Sequence, residues 1–231
     1  GMSIAQAVIE YCLQQIHALT LFATHYHELI AMADESEKIK KLSDEKVNDV
    51  DFSKDIINII SVAKIVPSKG YDRLMKIHKK LIEKNIKNHI YILGIGEEKE
   101  KYEKYLAENN LTDTFTFLGY RDNPYKYVKK ADLYVCSSRR EGFSTAVTEA
   151  LIVGTPVVST NCSGAYELLG KNNEYGIVTE NNEDALYEGI KKILTTPDLL
   201  EAYAAKAKER GKAFSTEKTV KAVEEMLLSL N

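Results

Sequence analysis

Five apolar, β-rich runs, each closing on glycine or polar residues and each running into a helical pattern, narrow the folds open to this chain more than any other feature. They are Ile59-Ile-Ser-Val-Ala-Lys-Ile-Val-Pro-Ser-Lys-Gly70, His89-Ile-Tyr-Ile-Leu-Gly-Ile-Gly96, Phe115-Thr-Phe-Leu-Gly-Tyr-Arg121, Ala131-Asp-Leu-Tyr-Val-Cys136 and Pro156-Val-Val-Ser-Thr-Asn161. Strands that alternate with helices belong to the α/β class, and 231 residues hold one sizeable domain of that kind with an appendage.

The fourth run leads into Glu141-Gly-Phe-Ser-Thr-Ala-Val-Thr-Glu149, which sets two carboxylates at either end of a turn that opens a helix. The helix is expected from about Ser144 to Val153, stopping at Gly154-Thr-Pro156. The order strand, loop, helix aims free backbone N–H groups at the cleft above the strand ends, which favours an anion such as a phosphate. Glu149 lies among Ala146, Val147, Ala150 and Leu151, the mark of a largely buried helix, where an unpaired carboxylate is costly. One turn from Thr145, it is placed to accept hydrogen bonds from ligand hydroxyls. A surface glutamate on an amphipathic helix is the competing reading and carries about equal weight on this motif alone.

A formal net charge of −3 argues against a dedicated nucleic-acid binder. The three cysteines, Cys12, Cys136 and Cys162, form no CxxC pair and fit reduced, buried thiols of a cytosolic protein. The sequence shows no signal peptide and no apolar run near the ~18 residues of a membrane span, so a cytoplasmic location is expected. Lysine-rich helix faces fit solvated surface; peripheral contact with the inner face of a membrane stays open. Glu97 and Glu98 suit the start of a helix. Tyr71–Lys84, Glu183–Leu194 and Leu199–Gly211 are expected as packing helices, with His78 a packed residue of the first.

The series of strands, the Glu141/Glu149 element, Asp72-Arg-Leu and Asn123-Pro-Tyr together resemble the nucleotide-sugar-binding half of the family-4 glycosyltransferases, from about Ile56 to Phe214. The likeness is nearest to bacterial members that decorate cell-surface polysaccharides or lipids. It implies a Rossmann-like parallel sheet flanked by helices, the C-terminal half of a two-domain fold. It implies transfer, with retention of anomeric configuration, from a nucleoside-diphosphate sugar, taken as UDP-linked, to a polysaccharide or lipid acceptor, without a metal or other cofactor.

The same resemblance assigns roles. Lys69 matches the family's diphosphate-neutralising lysine. Lys64 stands where the family usually carries arginine, and Ala63 where it has glycine. A lysine keeps the charge but lacks the bidentate fork, so a weaker or differently shaped diphosphate grip is expected. Gly94-Ile-Gly96 lacks the third glycine of a dinucleotide fingerprint, and here would let the ligand approach the backbone. Tyr120 and Arg121 would flank the nucleobase. Glu149 would take the ribose hydroxyls, and Glu141 would sit beside the donor sugar as the catalytic carboxylate. The backbone of Gly142, Phe143 and Ser144 would meet the distal phosphate, with Thr145 beside them. Asn161 to Gly164 would border the sugar.

Residues 1–30 do not share this pattern. Ala5, Val8, Ile9, Cys12, Leu13 and Ile16 line one face of an amphipathic helix, and Leu19–Ala23 follows as a strand. This segment resembles the mismatch-repair ATPase MutS, in which the histidine matching His25 senses the γ-phosphate. The phosphate-binding GxxxxGK[ST] loop and the acidic Walker B pair are absent, so ATPase or repair activity is not expected. His25 and His27, with His17 nearby, supply too few ligands for a zinc site. The expected organisation is therefore a MutS-like fragment (1–30), a charged linker (31–55), the nucleotide-sugar domain (56–214) and a C-terminal helix (215–231). On that helix Val220, Val223, Leu227 and Leu230 form an apolar stripe. That stripe, or strand Leu19–Ala23, would support self-association. With the family's acceptor domain not in the sequence, weak donor binding without transfer is expected. A non-catalytic nucleotide-sugar-binding module is the alternative.

Overall fold

The computed structural model describes residues 36–142 and 144–214. Strands β1 (Ile57–Val62), β2 (Asn88–Leu93), β3 (Phe115–Gly119), β4 (Leu133–Cys136), β5 (Val157–Thr160) and β6 (Ile177–Thr179) form one sheet in the order β3-β2-β1-β4-β5-β6. Every strand pair is parallel. The connecting helices are α1 (Tyr71–Glu83), α2 (Lys99–Glu108), α3 (Tyr125–Lys130), α4 (Thr145–Val153), α5 (Ala165–Leu169), α6 (Glu183–Thr195) and α7 (Leu199–Gly211). This is the Rossmann-like α/β architecture that the sequence implies.

Alternation along each strand divides the core in two. Ile59, Ile90, Ile92, Leu133, Val135 and Val158 face Leu74, Ile77 and Leu81 of α1 and Leu186, Ile190 and Ile193 of α6. Their strand neighbours Ile60, Tyr91, Leu93, Tyr134, Cys136 and Val157 face Val128 of α3, Val147 and Leu151 of α4, Leu168 of α5 and Ala207 of α7. Both faces of the sheet are covered, which is why the strands are apolar at nearly every position.

His78 is fully buried in α1, donating or accepting at both ring nitrogens with Asn88 Oδ1 and Thr114 Oγ1, each at 2.8 Å. It is a packing residue. The short strand β6 has no counterpart among the runs picked out in the sequence. Ahead of β1, residues 36–43 are helical, and the stretch to Asp55 lies against α3 and β2. Tyr127 donates to both oxygens of Asp49 (2.8 and 2.9 Å), Asn123 Nδ2 donates to Leu42 O (2.8 Å), and Phe52 packs on Tyr91 with ring centroids 4.9 Å apart. The expected helix and strand of residues 1–30, the three histidines there, and the C-terminal stripe lie outside the described residues. No helix among the described residues is long and apolar enough to cross a membrane.

Candidate functional site

The strand order reverses between β1 and β4, so their loops part and leave a crevice at the carboxyl ends of the strands. A cavity of about 300 Å³ occupies it, lined by Ser61, Val62, Ala63 and Lys64 after β1, Lys69 and Tyr71 before and in α1, Tyr134, Cys136 and Ser138 around β4, and Glu141, Ser144, Thr145 and Ala146 leading into α4.

Two loops build its walls. After β1 the chain makes a 3-10 turn, Pro67–Lys69, and reverses at Gly70, whose φ of 68° is left-handed. A Cβ at Gly70 would collide with the Ser137 carbonyl, so glycine lets α1 begin against the β4 loop. The β4 loop is fastened to this turn. Arg139 holds Asp72 through two 2.7 Å bonds and donates to Pro67 O (2.9 Å), while its backbone N–H donates to Ser68 O (2.7 Å). Ser137 Oγ donates to Lys69 O (2.8 Å). The hydrogen-bonded Arg139 guanidinium lowers the Asp72 pKa below the usual carboxylate value.

Inside the cavity, Lys69 Nζ donates to Glu141 Oε1 at 2.7 Å, and Ser138 Oγ donates to the same oxygen at 2.6 Å. Lys69 and Glu141 are largely shielded from solvent, their side chains 23% and 14% exposed. Lys64 is exposed at the rim. The floor is neutral. Burial raises the pKa of the Tyr71 and Tyr134 hydroxyls and of the Cys136 thiol, so all three keep their protons. The lining thus carries two cations against one carboxylate. Ser144 caps α4 by accepting from Val147 N (3.4 Å), and the helix presents its N-terminus to the cavity through Ser144, Thr145 and Ala146.

The cavity brings together Lys64, Lys69, Glu141, Ser144 and Thr145 of the residues singled out in the sequence; Gly94, Gly96, Tyr120, Arg121, Gly142 and Glu149 are not among its lining. Glu149 is half-buried one turn further along α4, close enough to Tyr134 for its charge to act on that hydroxyl. Gly94 (φ 149°) and Gly96 make room for the chain itself, because a Cβ on either would strike the carbonyl of Ala63 or Ile65. Tyr120, just after β3, is 67% exposed, and Ile95, just after β2, is 60% exposed. Arg121 turns toward the segment ahead of β1, with Nε 3.3 Å from Asp49 Oδ2. Gly142 is exposed with open space where a side chain would begin, and Phe143 lies outside the described residues. Ser61, Tyr71, Tyr134, Cys136 and Ser138 were not anticipated as lining. For Tyr134 and Cys136 the signal is the strand period: they share a face of β4, and that face opens into the cavity where Ser138 follows. Among the described residues no group of three or more His, Cys, Asp or Glu is placed to hold a metal ion.

A fully parallel sheet in this order, with lysines and a helix N-terminus converging at its switch point, defines a doubly wound α/β domain. The profile of the glycosyl transferases group 1 family matches residues 43–210, and the chain belongs to that family. A second profile, MutS domain V, matches residues 1–80. The chain is 36% identical over 158 residues to the N-acetylgalactosamine-N,N'-diacetylbacillosaminyl-diphospho-undecaprenol 4-alpha-N-acetylgalactosaminyltransferase of Campylobacter jejuni, covering 68% of this chain and 42% of that one. It is 28% identical over 151 residues to the poly(ribitol-phosphate) alpha-N-acetylglucosaminyltransferase of Staphylococcus aureus, covering 64% and 30%. Among solved structures, S. aureus TarM in complex with UDP superposes with a TM-score of 0.64 at 25% identity, over 80% of this chain and 38% of TarM. Anabaena HepE, solved in complex with UDP, shares the fold with a TM-score of 0.65 at 20% identity, over 75% and 49%. The chain spans about half the length of the curated relatives it matches.

Proposed function

We propose that residues 56–214 bind a nucleoside-diphosphate sugar, UDP-linked, for retaining glycosyl transfer to a cell-surface polysaccharide or lipid acceptor. The observation that carries this reading is the switch-point cavity, in which Lys64, Lys69 and the N-terminus of α4 converge. The UDP complexes of TarM and HepE support the choice of nucleotide. The leaving group is a nucleoside diphosphate, and the two lysines with the helix N-terminus would meet its growing charge. No resident cofactor enters this proposal, and a chelator should leave nucleotide affinity unchanged. Glu141 would face the donor sugar and Glu149 the ribose, one carboxylate accepting from two vicinal hydroxyls. Gly94, Gly96, Tyr120 and Arg121 would border the base, and Gly142 to Thr145 the distal phosphate.

The acceptor would be held by a second domain of the family's two-domain fold, so this chain by itself would bind donor without transferring sugar. Calorimetric titration with UDP tests the reading. Binding is expected on the order of 0.1–1 mM, about −4 to −5.5 kcal/mol, weakened about tenfold by Glu149→Ala. A folded chain that takes up no UDP would overturn it. The MutS domain V match prompts a parallel titration with ATP, and tight ATP binding would favour a nucleotide-driven repair fragment instead.

A further inference from the structure

The loop between β4 and α4 carries Ser138 and Glu141 to the cavity, and its backbone is held from outside the lining. Three successive carbonyls of that loop accept from side chains that take no part in the cavity wall. Ser137 O accepts from Arg73 Nε at 2.8 Å and from Arg73 Nη2. Ser138 O accepts from Arg73 Nη2 (2.7 Å), Thr160 Oγ1 (2.6 Å) and Cys162 Sγ (3.2 Å). Arg139 O accepts from Asn181 Nδ2 (2.9 Å), and Asn181 Oδ1 accepts in turn from Arg73 Nη2 (2.9 Å).

Arg73 stands at the centre of this arrangement and is only 4% exposed. A buried guanidinium is costly unless its donors are met, and here two adjacent carbonyls and an amide meet those of Nε and Nη2. A planar fork of five N–H groups bridges adjacent carbonyls at fixed spacing, which an ammonium does not reproduce. The approach depends on Gly70, because a Cβ there would strike the Ser137 carbonyl and sit 2.9 Å from Arg73 Nε. The Asp72-Arg-Leu triplet, noted in the sequence only as part of a resemblance, thus has a local reason.

We propose that Arg73 is a positioning residue for the cavity: it turns the carbonyl edge of the β4–α4 loop away from a bound anion and sets Ser138 and Glu141 against Lys69. Carbonyl oxygens facing a phosphate would repel it, whereas a backbone with its oxygens drawn outward leaves the cavity to hydroxyls, lysines and the helix terminus. The consequence for the ligand rests on the donor-binding reading above; the holding of the loop rests on the hydrogen bonds alone.

Two measurements on the full chain separate these parts. Hydrogen exchange of the amides of residues 137–142, with no ligand added, reads the loop, and UDP calorimetry reads the ligand. Arg73→Lys keeps the charge and loses the fork. It should speed exchange in residues 137–142 at least tenfold, leave β2 unchanged, and weaken UDP about tenfold. Asn181→Ala, at an exposed position, should do the same to a smaller degree without threatening the fold. Methylguanidinium added to Arg73→Ala should restore protection in part, while urea at the same concentration should not. Unchanged exchange in residues 137–142, or equal loosening across the whole sheet, would overturn the proposal. If the loop loosens as expected but the unsubstituted chain binds no UDP, the donor reading fails and the positioning role stands.

Discussion

Glu141 Oε1 serves two donors at once, Lys69 and Ser138, so a diphosphate entering the cavity must compete for the one shielded lysine. Removing the carboxylate's charge should therefore help a ligand that brings phosphate and no sugar. Glu141→Gln is expected to bind UDP about fivefold tighter, a gain of ~1 kcal/mol, the usual scale for releasing one partner of such a pair. Weaker binding measured by calorimetry would mean that Glu141 itself holds part of the nucleotide. Gly94 makes a second residue-scale case. With φ at 149° and the Ala63 carbonyl where a side chain would start, Gly94→Ala should lose on the order of 1–3 kcal/mol in urea unfolding. Full stability in that variant would show that the turn relaxes freely. Glu141 was legible in the sequence as one of two carboxylates flanking a turn that opens a helix, and Lys69 through the family resemblance. Their pairing was not, since it depends on the Arg139–Asp72 clasp that draws the two loops together.

Among the elements, α4 has the clearest local logic. A Ser144 cap opens it, and Gly154, left-handed at φ 83°, closes it. Nine residues make a short helix, so its end effects weigh heavily. Ser144→Ala should cost about 1 kcal/mol of stability in urea unfolding, with a loss of UDP affinity because the cap lies in the cavity wall. Asn182→Ala, which removes the cap of α6 at the Ala185 amide (2.8 Å), should cost a similar ~1 kcal/mol and leave UDP binding untouched. Equal effects of the two on affinity would argue that the α4 terminus plays no special part. Such caps and stops are readable from sequence because they are local. Strand β6 was not readable: Ile177–Thr179 is three residues long, and its pairing with β5 comes from the sheet. The stretch ahead of β1 was obscured in another way. Its charges suggested a linker, while Val47, Val50 and Phe52 pack on the core beneath them.

At the scale of the whole molecule, a doubly covered sheet leaves few places for a titratable group to be both buried and neutral, and His78 occupies one. Burial lowers its pKa from 6.5 to about 4, and its neutral ring fits the position, Nδ1–H donating to Asn88 and Nε2 accepting from Thr114. Between pH 6.5 and pH 4 the unfolded chain binds a proton at this site that the folded chain refuses. Stability is therefore complete above the unfolded value and falls with acidification, at about 1.4 kcal/mol per pH unit and roughly 3 kcal/mol in all. His89, lowered by burial as well, adds in the same direction. Asp49 and Asp72, held below the ordinary carboxylate value by Tyr127 and Arg139, act only at lower pH, where their protonation removes those contacts. The windows do not coincide, so they can be separated. Urea unfolding of the unsubstituted chain at pH 7.5, 5.5 and 4.5 should show a steady loss, and His78→Gln, less stable at pH 7.5, should show a shallower one. Parallel slopes would mean that the charged imidazole is accommodated, and that the Asn88 and Thr114 contacts open more readily than their burial between α1 and the sheet implies.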